Sequence, residues 1–127
     1  MVLNIHAGHN PDGMTACGAV GIIKESTENR KVKNELISLC RFFGNTVYDC
    51  TVDDGTSQNN VLSRIVKKCN EHAVDYDISI HFNSGRNDYA GDGSNGGTEC
   101  YVYPGDAKSK AMAQHICNAI ASMGFKN

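Results

Sequence analysis

No apolar run in this chain approaches the roughly 20 residues that a bilayer span requires. No positively charged leader precedes an apolar stretch at the amino terminus, so no secretion signal is expected. Basic charge is also scarce. Lys and Arg number 12 against 14 Asp and Glu, a formal net charge of −2. That balance argues against a general nucleic-acid binder or a binder of anionic membranes, since both need clustered cations. There is no G-x-S-x-G elbow, which speaks against a serine hydrolase. A glycine-rich phosphate loop after the first strand is missing too, which speaks against a nucleotide site. No internal repeat or low-complexity tract interrupts the 127 residues. Hydrophobic residues make up 40% and charged residues 20%, so the chain should fold, as one domain spanning residues 1–127.

Six cysteines are present, at positions 17, 40, 50, 69, 100 and 117. None forms a C-x-x-C pair, so neither a zinc knuckle nor a thioredoxin-like motif is encoded. Cys40, Cys69, Cys100 and Cys117 fall inside apolar-patterned elements and read as small buried hydrophobes. Reduced thiols are therefore expected over a disulfide framework. Cys17, in a polar loop, leaves room for one reactive thiol.

Residues 2–6 read as a first strand. Residues 7–21, rich in Gly, Asn, Asp and Pro, form a loop. A helix is expected over 26–43, with Val32, Leu36, Leu39 and Phe43 at helical spacing and Gly44-Asn45 as the stop. Residues 46–50 make a second strand, and Asp53-Asp54-Gly55 a turn. A second helix over 58–71 carries Val61, Leu62, Ile65, Val66 and Cys69 on its inner stripe. In a third strand, 76–81, Ile78 and Ile80 face one side, Ser79 and His81 the other. Residues 83–97, with five glycines, read as a surface loop. A fourth strand is expected over 98–103, then a third helix over 107–123 capped by Gly124. The order β-α-β-α-β-β-α implies an α/β fold: an open, mixed, mostly parallel sheet flanked by helices.

In such sheets, polar side chains at the carboxyl ends of strands converge on one edge. His9 lies just past strand one and His81 closes strand three. Glu25 stands at the entry of the first helix, near the same edge. Two imidazoles, one carboxylate and an open fourth position make a hydrolytic zinc site, where the metal lowers the pKa of water to about 7 and polarises a carbonyl. Each residue also has a plainer reading. Either histidine alone is a hydrogen-bonded structural residue, and Glu25 alone is a helix-dipole partner. His6 orients a ligand or packs. His72 and His115 read as solvated.

The segments Ala7-Gly8-His9, Lys24-Glu25, Ser79-Ile80-His81-Phe82-Asn83-Ser84 and Gly96-Gly97-Thr98-Glu99-Cys100-Tyr101 resemble, in order, the zinc-dependent N-acetylmuramoyl-L-alanine amidases of phage endolysins and bacterial autolysins. The resemblance implies that His9, Glu25 and His81 ligate zinc. It implies peptidoglycan as substrate, cut at the amide between N-acetylmuramic acid and L-alanine. It also implies synthesis in the cytoplasm and action at the cell wall after release, as in phage lysis. Asn83 would bind substrate or cap the strand.

One departure stands out. The family's catalytic glutamate lies on a strand beyond the third helix, and no residue here matches it. Glu99 is then the remaining strand carboxylate near the expected edge, read as a proton shuttle or as a surface carboxylate beside Tyr101 and Tyr103. The expectation follows that the domain is truncated at its carboxyl end, and that a missing segment or a second copy completes the sheet. Two further functions stay open. One is a non-catalytic, zinc-containing wall-binding module. The other is a zinc hydrolase of a small amide.

Overall fold

The computed structural model describes residues 1–84 and 96–126. It divides into two compact units, 1–84 and 85–127. In the first unit, β1 (Val2–Ala7), α1 (Glu25–Phe42), β2 (Thr46–Asp49), α2 (Gln58–Cys69) and β3 (Tyr76–Ile80) follow one another. The strands form one sheet in the order β2-β1-β3. Both ladders are parallel, with Leu3 opposite Val47 on one side and Tyr76 on the other. This is the α/β class expected, with a sheet that is parallel throughout among the described residues.

The sheet's two faces carry different chemistry because alternate residues of β1 point opposite ways. Leu3 and Ile5 pack with Val47 and Ile37, joined by Leu36, Cys40 and Ile78. On the other face, Asn4 donates from Nδ2 to the Cys69 carbonyl at 2.8 Å and to Asp77 Oδ1 at 2.7 Å. Val52, Val61 and Ile65 form a second small core, with Cys69 against it. The two helices thus cover opposite faces, as right-handed crossovers of opposite direction require. Ser57 caps α2 by accepting the Asn60 N–H at 3.2 Å.

The stripe expected on α1 is rotated. Its buried residues are Glu25, Ser26, Asn29, Lys33 and Ile37, whereas Val32, Leu39 and Phe43 are exposed. Polar partners waiting beneath the helix explain the rotation. Lys33 Nζ reaches Asp49 at 2.6 Å, and Asn29 and Arg30 reach the loop after β1. On α2 the stripe is narrower than expected, since Leu62 and Val66 are exposed.

The second unit holds α3 (Ala107–Ser122), capped by Asp106, whose side chain accepts the Ser109 N–H at 3.0 Å. Gly124 has φ +94°, the left-handed stop expected of it. The fourth strand is not formed. Residues 98–103 carry no ladder, and Thr98 N–H instead bonds the Lys126 carbonyl at 2.7 Å. Alternation makes a segment able to pair, but a strand exists only where an edge accepts it. Of the glycine-rich loop, 85–95 lie outside the described residues.

All six cysteines are free. The buried one is Cys50, not one of the four expected, and Cys100 is exposed. Burial, with Cys50 beside it, pushes the Cys69 thiol up to about 12. His72 is not merely solvated, because its ring stacks on Tyr48 at 3.7 Å. Among the described residues no helix is long and apolar enough to cross a membrane.

Candidate metal centre

The chain reverses its winding direction at β1. The first crossover runs from β1 to β2, and the next returns past β1 to β3. The crevice between the carboxyl ends of β1 and β3 is therefore the switch point of the sheet, where ligands of open α/β folds bind. His9 follows β1 into this crevice, and His81 directly follows β3. Glu25 is the first residue of α1, the helix launched from the same end of the sheet.

One ligand atom from each of His9, Glu25 and His81 lies within 4.8 Å of the others. Glu25 stands between the imidazoles. Its Oε1 is 2.9 Å from His81 Nδ1, and its Oε2 is 3.5 Å from His9 Nε2. The two rings meet edge to face, with centroids 5.0 Å apart. The carboxylate is held in place by backbone donors: Ala19 N–H to Oε2 at 2.8 Å and Phe82 N–H to Oε1 at 3.2 Å. Glu25 is 5% exposed, and burial pushes its carboxyl up. The Ala19 amide, His81, the Phe82 amide and His9 outweigh that and hold it below its ordinary value. The reading of Glu25 as a helix-dipole partner therefore misses its main contacts, which lie outside its own helix.

Two glycines make room for these side chains. A Cβ on Gly8 would overlap the His81 ring. A Cβ on Gly18, already at φ +79°, would stand 2.5 Å from Glu25 Oε2 and 2.8 Å from His9 Cδ2. The donor set suits a divalent borderline cation: two imidazole nitrogens and an ionised carboxylate, with part of each imidazole side chain open to solvent (26% for His9, 43% for His81).

His6 lies beneath the site. With His9, His81, Gln58, Val61 and Ser79 it lines a small cavity of about 80 Å³. Its Nδ1 is 3.4 Å from the Ser79 hydroxyl, and burial lowers its pKa. Asn83 is exposed, two residues past His81. Glu99 belongs to the second unit, where it is exposed and hydrogen-bonds the Tyr101 hydroxyl, raising that phenol.

Sequence reasoning missed Asn29, Arg30 and Asn10. Asn29 Nδ2 donates to the Gly8 carbonyl at 3.0 Å, and Arg30 Nη2 to the His9 carbonyl at 2.7 Å. Asn10, fully buried, accepts the Gly55 N–H and donates to the Thr15 and Gly55 carbonyls. The available signal was the run of polar residues at 26, 29 and 33. Their helical spacing marks one face of α1, and Glu25 opens the same helix.

A family model described as N-acetylmuramoyl-L-alanine amidase matches residues 3–127. An uncharacterized protein of Clostridium perfringens (strain 13 / Type A) is 32% identical over 128 residues, an alignment covering 100% of this chain and 36% of that protein. The chain thus spans little more than a third of the length of that relative. With a match over nearly its whole length, the chain belongs to the N-acetylmuramoyl-L-alanine amidase family.

Proposed function

We propose that this chain hydrolyses the amide bond between N-acetylmuramic acid and L-alanine in peptidoglycan, using a zinc ion held by His9, Glu25 and His81. The observation that carries the proposal is the convergence of those three donors at the switch point of a chain that belongs to the amidase family. Zinc in such a donor set supplies Lewis acidity for an amide carbonyl and acidifies water. Every other contribution comes from the chain's own residues. Ala19 and Phe82 amides keep Glu25 ionised and fixed in orientation. Glu25 in turn holds both imidazoles, so the donors are gathered before a ligand arrives. Asn83, exposed two residues past His81, would offer its side-chain amide to substrate.

The test is digestion of purified sacculi. New L-alanine amino termini should appear, stop with a zinc chelator, and return when zinc is restored. Stoichiometric zinc without any such termini would overturn the peptidoglycan activity and leave a wall-binding module or a zinc hydrolase of a small amide.

A further inference from the structure

We propose that Arg30, braced by Asp53, is a positioning residue that fixes the backbone of His9 and thereby sets the affinity of the metal centre. The inference rests on the metal reading given above and deepens it.

His9 has φ +64°, a left-handed conformation that a residue with a Cβ rarely adopts. Such a conformation persists only where its surroundings determine it. Here the peptides on both sides of His9 are tied. Ahead of it, the Gly8 carbonyl accepts Asn29 Nδ2 at 3.0 Å and Arg30 Nη1 at 3.5 Å. The His9 carbonyl itself accepts Arg30 Nη2 at 2.7 Å. Beyond it, Asn10 is fully buried, and its backbone N–H bonds the Ala16 carbonyl at 3.0 Å.

The guanidinium is the hub of this arrangement. Its Nη1 also donates to the Ser26 carbonyl at 3.0 Å, while Nε and Nη2 both reach Asp53 Oδ1, at 3.0 and 2.7 Å. The Arg30 side chain is only 16% exposed. A planar fork of five donors can serve two loop carbonyls, a helix carbonyl and a carboxylate together, which an ammonium cannot do with the same geometry. The bonds from Arg30 to this loop end on the Gly8 and His9 carbonyls, so it acts through the backbone. It also sits five positions after Glu25 on α1. One helix therefore presents a donor and clamps the peptide that bears a second donor, fixing the spacing between them.

The test uses the full 127-residue chain. Zinc Kd is measured by competition with a chromophoric chelator, and the cobalt-substituted protein gives a d–d spectrum sensitive to donor geometry. Arg30→Ala should keep its far-UV spectrum, lose zinc affinity by roughly 10–100-fold, and shift the cobalt bands. Arg30→Lys should recover only part of that loss, and Asp53→Asn should lose a few-fold. In a His9→Ala background, Arg30→Ala should change the residual affinity by less than about threefold, because the effect runs through His9. A merely structural arginine would lower thermal stability and leave Kd and the cobalt spectrum alone. That result, in wild-type background, overturns the proposal. Should Arg30→Ala fail to fold, wild-type Kd in both Arg30→Lys and Asp53→Asn overturns it equally. If the wild type bound zinc no better than His81→Ala, the metal centre itself would fall, and this inference with it.

Discussion

The two units of this chain invest their residues differently. The first, 1–84, contains the whole parallel sheet, both clusters of buried apolar residues and the three converging donors. In the second, the described residues form one helix with no buried residue, beside a shallow groove lined by Thr98, Val102, Lys110 and Cys117 among others. The contrast shows where a site has packed elements to hold it. Donors in the first unit hang from the ends of β1, which is laddered on both sides, and of β3, laddered to β1, and from the start of α1, which packs on that sheet. Nothing comparable fixes 98–106 among the described residues. Thr98 exchanges contacts with Lys126 and Cys117 at one end, and a turn leads into α3 at the other.

The largest effect should come from cutting into the donors of the first unit. His81→Ala and Glu25→Gln should each lower zinc content and reduce turnover on sacculi by at least about 100-fold. Elemental analysis together with the amino-terminus assay checks both. Full activity in Glu25→Gln would show that the carboxylate does another task.

Next comes a paired test of packing. Ile5→Ala, at a position with 0% exposure, should destabilise the first unit by about 2–5 kcal/mol in urea melts. Met123→Ala, at 67% exposure in the second unit, should stay within about 0.5 kcal/mol. Equal losses would erase the distinction between the units.

Smaller still should be Glu99→Gln. Glu99 is exposed and bonded to Tyr101, so turnover should change by less than about threefold, against the roughly 100-fold or more that loss of a general acid costs. A collapse like that of Glu25→Gln would instead make Glu99 the acid for the leaving amine and give the second unit a share of the chemistry.

The smallest effect is a pH dependence in the first unit. Burial pushes the Asp49 carboxyl up, but Lys33 at 2.6 Å and the Thr51 contacts outweigh it and hold it below its ordinary 3.8. A depressed folded pKa gives stability that is present above 3.8 and is lost as pH falls through the folded value. Because Asp49 is 41% exposed, the loss should be under about 1 kcal/mol. Melts at pH 5 and pH 3 should therefore differ less in Asp49→Asn than in wild type, and parallel curves would count against the pair.

Much of this was legible in the residue order. Apolar runs bounded by turn chemistry place β1, α1, β2, α2, β3 and α3 to within one or two residues. His9, Glu25 and His81 are brought together by topology alone, since parallel strands bring their carboxyl ends to one side. Three features were not legible, for different reasons. Periodicity named the wrong face of α1, because a lysine and an asparagine can lie under a helix when Asp49 and the Gly8 carbonyl wait for them. Alternation over 98–103 could not produce a strand, because pairing depends on an edge that local sequence does not encode. The left-handed turn at His9 was hidden too: the partners that tie the peptides around it include Asn29 and Arg30 on α1, outside its local sequence.

The bond between Asn10 and Gly55 extends this beyond the ladders. The Gly55 N–H points at a fully buried side-chain oxygen 3.0 Å away, although no strand covers it. Its hydrogen should therefore be given up to deuterated solvent about as slowly as those of β1, so that an amide in irregular backbone ages in heavy water like sheet.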